Sequence, residues 1–152
     1  LLEKNNKIFE LRESLANLLP QLSGISLVTI SGLRGTGLSN LHKQVLSAYK
    51  IWNTRVSTSK LNNWLVAKLY SHPPPSISGK RIRMRYITQI KSRPPSFVIF
   101  TSLPESVPES YKRYLVNGLR KDFGIVGVPI RLMLRGGHNP YNDKTKKRRV
   151  IS

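Results

Sequence analysis

Arg81-Ile82-Arg83-Met84-Arg85-Tyr86 alternates basic and apolar residues without a break. Successive side chains of a strand leave on opposite faces, so this spacing predicts a strand with Ile82, Met84 and Tyr86 facing one way and three arginines the other. The pattern returns in Ile130-Arg131-Leu132-Met133-Leu134-Arg135, with Ile130, Leu132 and Leu134 on one face and Arg131 and Arg135 opposite. Between the two lies Ser96-Phe97-Val98-Ile99-Phe100, a short apolar run that predicts a strand buried on both faces. Arg81, Arg83, Arg85, Arg131 and Arg135 share one sign with no carboxylate among them, whereas a merely solvated face mixes signs. Such a face is suited to phosphate.

Working outward, Leu61, Trp64, Leu65 and Leu69 make one apolar stripe of a helix that Thr58 or Ser59 can cap and that runs to Tyr70. His72-Pro73-Pro74-Pro75 ends it, because proline lacks the N–H and restrains the residue before it. Arg93-Pro94-Pro95 separates the first two strands. Ser106-Val107-Pro108-Glu109 has capping-box spacing and predicts a helix to Phe123, packing through Tyr111, Tyr114, Leu115, Leu119 and Phe123 and closed by Gly124. The order from Thr58 to Arg135 is therefore helix, strand, strand, helix, strand, an α+β unit with two helices on one face of a three-stranded sheet.

Residues 1–52 follow another pattern. Ile8, Leu11, Leu15, Leu18 and Leu19 recur at helical spacing as far as Pro20, and Ile25–Ile30 reads as a buried strand. After the loop Ser31–Gly37, Leu38, Leu41, Val45, Leu46 and Tyr49 line a second helix. A strand in such an α/β element needs parallel neighbours, and this sequence supplies none. The N-terminal part is thus expected to be incomplete, as the start at Leu1 also suggests.

The charge narrows the function. Lys and Arg number 26 against 7 Asp and Glu, a formal net charge of +19. Self-repulsion at that level calls for a polyanionic partner, nucleic acid first and an anionic membrane surface second. Cysteine is absent, which excludes disulfides, thiolate catalysis and Cys-ligated zinc, and His42, His72 and His138 are too scattered for a metal site. No apolar run is long enough to span a bilayer, and no signal peptide is visible. Lys91 and Arg93 extend the basic face, and Tyr141–Ser152, with Lys146, Lys147, Arg148 and Arg149, is expected to be a disordered basic tail. The expected division is 1–52, 53–140 and 141–152.

Two glycine motifs fall short of the sites they imitate. Gly32-Leu33-Arg34-Gly35-Thr36-Gly37-Leu38-Ser39 has P-loop spacing, but Leu38 stands where the lysine that neutralises phosphate is required. Gly124-Ile125-Val126-Gly127 is a literal G-x-x-G, yet it joins a helix to a strand and has apolar middle residues. A hydrophobic closing turn is the reading that fits.

Several segments together resemble the C-terminal part of the bacterial double-GTPase family Der, also called EngA. They are Ser31-Gly32-Leu33 with Gly35 and Gly37; Trp52-Asn53 through Val56-Ser57-Thr58-Ser59-Lys60-Leu61-Asn62; and His72-Pro73-Pro74-Pro75. They continue with Arg85-Tyr86-Ile87-Thr88-Gln89 through Arg93-Pro94-Pro95-Ser96-Phe97, and then Pro108-Glu109-Ser110-Tyr111-Lys112-Arg113-Tyr114-Leu115. Gly127-Val128-Pro129-Ile130-Arg131 and Arg135-Gly136-Gly137-His138-Asn139-Pro140-Tyr141 complete the set.

The resemblance implies that 1–52 are the last strand, loop and helix of a Ras-like P-loop GTPase domain, with Ser31, Gly32 and Leu33 contacting the guanine base. Gly32 departs from the usual alanine there. From about residue 53 it implies a K-homology-like domain without the G-x-x-G grip. It implies a cytoplasmic, monomeric parent that binds GTP or GDP with magnesium, hydrolyses GTP and acts in assembly of the large ribosomal subunit, with ribosomal RNA as partner. The sequence holds no P-loop, switch threonine, D-x-x-G or N-K-x-D, so the chain alone is expected to bind no nucleotide and to be inactive. The alternatives are a stand-alone basic RNA-binding protein, or an arginine face that docks on the parent's own GTPase domains.

Overall fold

A strand that is apolar on both faces belongs in the middle of a sheet. In the computed structural model, which describes residues 2–77 and 79–137, that is where the Ser96–Phe100 run lies. Strands β1 (Met84–Lys91), β2 (Ser96–Thr101) and β3 (Arg131–Gly136) form one sheet in that order, β1 antiparallel and β3 parallel to β2. Helices α3 (Thr58–Ser71) and α4 (Glu109–Asp122) supply its cover. Phe97 and Ile99 meet Leu61, Leu65, Ile87, Leu115 and Leu119 in a core where none is more than 2% exposed. Each such side chain contributes about 1.5–3 kcal/mol by leaving water.

The helix ends are built differently from the capping read in the sequence. Ser57, not Thr58 or Ser59, is the N-cap of α3, its side chain accepting from the Lys60 N–H at 3.4 Å. Ser106 does not cap α4: it closes a short 3-10 turn, Pro104–Ser106, and α4 starts after Pro108. Val107 between them is only 4% exposed, so the chain turns there to deliver it to the core before the helix begins. At the far end Gly124 takes φ +65° and the Ile125 N–H reaches back to the Arg120 carbonyl at 3.0 Å, a Schellman closure.

The two helices approach closely at Gly118, where a Cβ would stand 3.0 Å from Trp64 Cζ2. Beside it, Asp122 accepts from Trp64 Nε1 at 2.8 Å and pairs with Lys68 Nζ at 2.8 Å. The hydrogen bond from Lys68, reinforced by that from Trp64, holds the Asp122 carboxyl below its ordinary value of 3.8. A depressed carboxylate stabilises the fold fully above that value, and the contribution is lost as pH falls through the folded one. Solvent screening keeps it to about 1 kcal/mol or less. Asp122→Asn is accordingly expected to flatten the acid limb of a Tm-against-pH curve below about pH 4 while leaving the shape near neutrality unchanged; an unaltered acid limb would count against the pair.

Two expectations about the strands are corrected. Ile25–Ile30 is no strand: the segment is unpaired, with Ile25 and Ile30 exposed. Its apolar character suits a sheet, but strand geometry needs ladder partners, and among the described residues it has none. The helix after it, α2 (Leu38–Trp52), likewise buries no residue, and its stripe Leu38, Leu41, Val45, Leu46 and Tyr49 is exposed. In β1 the alternation from Arg81 does not run through to Tyr86. Ile82 and Met84 are buried, but a bulge between Met84 and Tyr86 adds a residue, so Ile87 and Gln89 take the core side and Tyr86 turns out, 41% exposed.

The N-terminal region meets the sheet domain at the α4–β3 turn. The Gly127 N–H donates to the Ser23 carbonyl at 3.0 Å, and a Cβ on Gly127 would lie 3.1 Å from the Gly24 carbonyl oxygen. The G-x-x-G is therefore a packed turn, with Ile125 fully buried.

Candidate nucleic-acid interface

With both helices on one side, neither covers the opposite face of the sheet, where Ser96 and Val98 are nonetheless buried among their neighbours, and the strand register orders its side chains into rows. Lys91, Ser96 and Arg131 form one row; Thr88, Val98 and Met133 the next; Tyr86, Phe100 and Arg135 the last. The rows between them, such as Ile87, Ile99 and Leu134, point into the core. Cations thus occupy both ends of this open face, about 13 Å apart for four residues of strand rise. Between them the middle row is neutral, with Met133 exposed and Val98 buried at 1% beneath its neighbours; Ile90 is exposed beside Lys91, and Tyr86 is exposed in the row of Arg135. The Tyr86 and Phe100 rings pack at 5.9 Å and 42°.

Arg85 lies on the bulge, and its guanidinium comes within 3.8 Å of where a Gly137 Cβ would be, so it reaches toward the end of β3 that also carries Arg135. Arg81 and Arg83 precede the ladder and are exposed. Arg83 is anchored through its backbone, its N–H donating to Ser102 Oγ at 3.0 Å and its carbonyl accepting from the Ser102 N–H at 2.9 Å. Arg93 is exposed in the turn after β1, ahead of a cis Arg93–Pro94 bond. The arginines therefore frame the face and do not cover it. Lys146, Lys147, Arg148 and Arg149 lie outside the described residues.

Among the described residues no carboxylate pairs with Arg81, Arg83, Arg85, Arg131 or Arg135. The ion pairs lie on the helices, Lys68–Asp122 and Lys112–Glu109. Cations left without partners on a protein surface are available to an external anion.

Two side chains that the sequence reading did not single out hold β1 in place. Asn62 on α3 accepts from the Ile87 N–H at 3.1 Å and donates Nδ2 to the Ile87 carbonyl at 3.0 Å, acting as a neighbouring strand would. Gln89, 7% exposed, accepts from the Val56 N–H at 2.8 Å and donates to the carbonyls of Thr54 at 2.8 Å and Lys91 at 3.2 Å. Arg55 adds a bond to the Gln89 carbonyl at 3.2 Å. Gln89 so clasps the connector before α3 to the end of β1 that bears Lys91.

Ser31, Gly32 and Leu33 sit apart from the sheet, in the turn before α2. The Ser31 N–H donates to the Thr36 carbonyl at 3.0 Å and Ser31 Oγ accepts from the Arg34 N–H at 3.3 Å. Gly37, at φ +84°, is forced: a Cβ there would stand 2.3 Å from the Thr29 carbonyl oxygen. Leu33 is 97% exposed, and among the described residues the Gly32 and Leu33 amides have no hydrogen-bond partner. Leu38 offers no charge for a phosphate. Among the described residues no group of His, Asp or Glu could hold a metal ion, and no helix is long and apolar enough to cross a membrane.

Comparison with known proteins adds the following. The family model described as KH-domain-like of EngA bacterial GTPase enzymes, C-terminal, matches residues 55–135. The chain is 57% identical over 145 residues to GTPase Der of Roseobacter denitrificans, which covers 94% of this chain and 30% of that protein. It is 54% identical over 140 residues to GTPase Der of Agrobacterium fabrum, with 92% and 29% covered, and 51% identical over 146 residues to GTPase Der of a Jannaschia species, with 95% and 30% covered. The chain thus spans about 30% of the length of these curated relatives.

Proposed function

The chain belongs to the family of KH-like C-terminal domains of EngA bacterial GTPases, and on that premise we propose that it is the RNA- and ribosome-facing part of a Der-type GTPase acting in large-subunit assembly. The observation that carries this reading is the open sheet face, framed by arginines that no carboxylate among the described residues neutralises. RNA phosphates supply the missing counter-charge and release condensed cations on binding, which makes the affinity depend on salt.

In this reading, residues 1–52 complete a Ras-like GTPase domain, and the unburied stripe of α2 is the surface by which they do so. Ser31, Gly32 and Leu33 would offer main-chain contacts to the guanine of GTP or GDP. Phosphate and magnesium binding belong to the parent protein, where the nucleotide supplies the bond that is hydrolysed. The parent works in the cytoplasm, where ribosomes assemble. A second reading has the sheet face docking on the parent's GTPase domains; it draws on the exposed apolar residues Tyr86, Ile90 and Met133.

The test is RNA or large-subunit binding by the chain and its Arg131→Ala/Arg135→Ala variant across a salt series. Each lost phosphate contact is expected to lower the log–log salt slope by about 0.7 on single-stranded RNA, about equally for all sequences. Both side chains are exposed, so thermal unfolding should move by no more than about 0.5 kcal/mol. A folded variant with unchanged affinity and slope would favour the docking reading.

A further inference from the structure

The exposed aromatic and apolar residues of the open face are not needed for phosphate binding, and they are unusual for a surface that serves only that purpose. The bulge turns Tyr86 outward at 41% exposure, beside Phe100 and in the same row as Arg135. A base-paired helix shows a protein its phosphates and groove edges, and its bases are already stacked on each other. An unpaired strand can lay a base face on an aromatic ring while its backbone runs to cations on either side. An exposed ring pair with Arg85 and Arg135 beside it and Lys91 and Arg131 at the other end of the face suits the second and is not needed for the first.

We infer that the open face selects single-stranded RNA, stacking a base on the Tyr86–Phe100 pair while Arg85 and Arg135 beside it, and Lys91 and Arg131 about 13 Å along the strands, take phosphates. The inference rests on the RNA-facing reading above and names the class of RNA it takes.

The experiment uses the whole chain, a fluorescent unpaired 12-nucleotide RNA of mixed sequence, and the same RNA annealed to its complement, over a salt series. Tyr86→Ala is expected to weaken binding of the single strand about 5- to 150-fold, the range for loss of one stacked base. The salt slope should not change, because no phosphate contact is removed. Binding of the duplex should change little, and Tyr86→Phe, which keeps the ring, should restore single-strand affinity. Thermal unfolding of both variants checks that the sheet is intact. If Tyr86→Ala leaves single-strand affinity unchanged while Arg85→Ala/Arg135→Ala weakens it, the face binds phosphate alone; the inference is then overturned and the RNA-facing reading stands. If the unaltered chain binds neither RNA at any salt concentration, the RNA-facing reading itself has failed, and docking on protein takes its place.

Discussion

Gln89→Leu is expected to destabilise the fold by about 3 kcal/mol, since a buried polar group left without its partner costs roughly 1–3 kcal/mol. Leucine is close to glutamine in size, so packing is conserved while three bonds are lost. The Val56 N–H and the carbonyls of Thr54 and Lys91 would all lose their partner at once. Part of the cost is recovered as the connector moves and takes up water. For a unit of this size the change corresponds to a fall in Tm of about 10 °C or more. Hydrogen exchange gives the specific readout, because protection of the Val56 amide depends on this one acceptor. Gln89→Glu should keep that protection, since a carboxylate still accepts, yet destabilise by setting a negative charge against two carbonyl oxygens. An unchanged Tm in Gln89→Leu would mean that the clasp contributes nothing.

The second large effect is expected at Arg120, a cation only 6% exposed. Its Nη1 donates to the carbonyls of Ile125 at 3.2 Å and Val128 at 2.9 Å, holding both ends of the turn between α4 and β3. Burial lowers the guanidinium pKa from its usual value, so its desolvation opposes its own hydrogen bonds. Arg120→Met keeps much of the volume and relieves that desolvation, but leaves two carbonyls unpaired; the net loss is expected to be about 2 kcal/mol. The loss should be felt beyond the turn. Gly127, inside it, bonds to Ser23, so the N-terminal region would exchange its amides faster and become more open to proteolysis. If stability falls while residues 20–30 keep their protection, the turn does not hold that region.

What the sequence disclosed follows from what periodicity can encode. The apolar run at 96–100 and the alternation at 130–135 were enough to identify the central strand and β3, because each face is marked by its own side chains. The stripes of α3 and α4 were legible for the same reason. The bulge was not, because Arg81–Tyr86 alternates smoothly across it. The signal was one residue further on, where Tyr86 and Ile87 put two apolar residues together and so changed phase. Ile25–Ile30 misled in the opposite way. Its composition suits a strand, but pairing depends on segments that composition cannot supply. Asn62 and Gln89 left no pattern at all, since each bonds backbone more than twenty residues away. For the site, the sign and positions of the arginines could be read from sequence; only the strand register showed that Arg135 shares a row with Tyr86 and Phe100.

The bond pattern at Asn62 bears on how copies of this chain meet one another. β1 is an outer strand, and outer strands are where sheets of separate molecules join and fibrils begin to grow. A joining strand would need the Ile87 N–H and carbonyl, and one amide side chain already occupies both. Templated growth on that side would first require α3 to lift away, exposing Leu61 and Leu65. On the β3 side, Arg131 and Arg135 would bring like charges together in any stacked copy. A chain of net charge +19 thus has its sheet guarded by an amide on one side and by charge on the other.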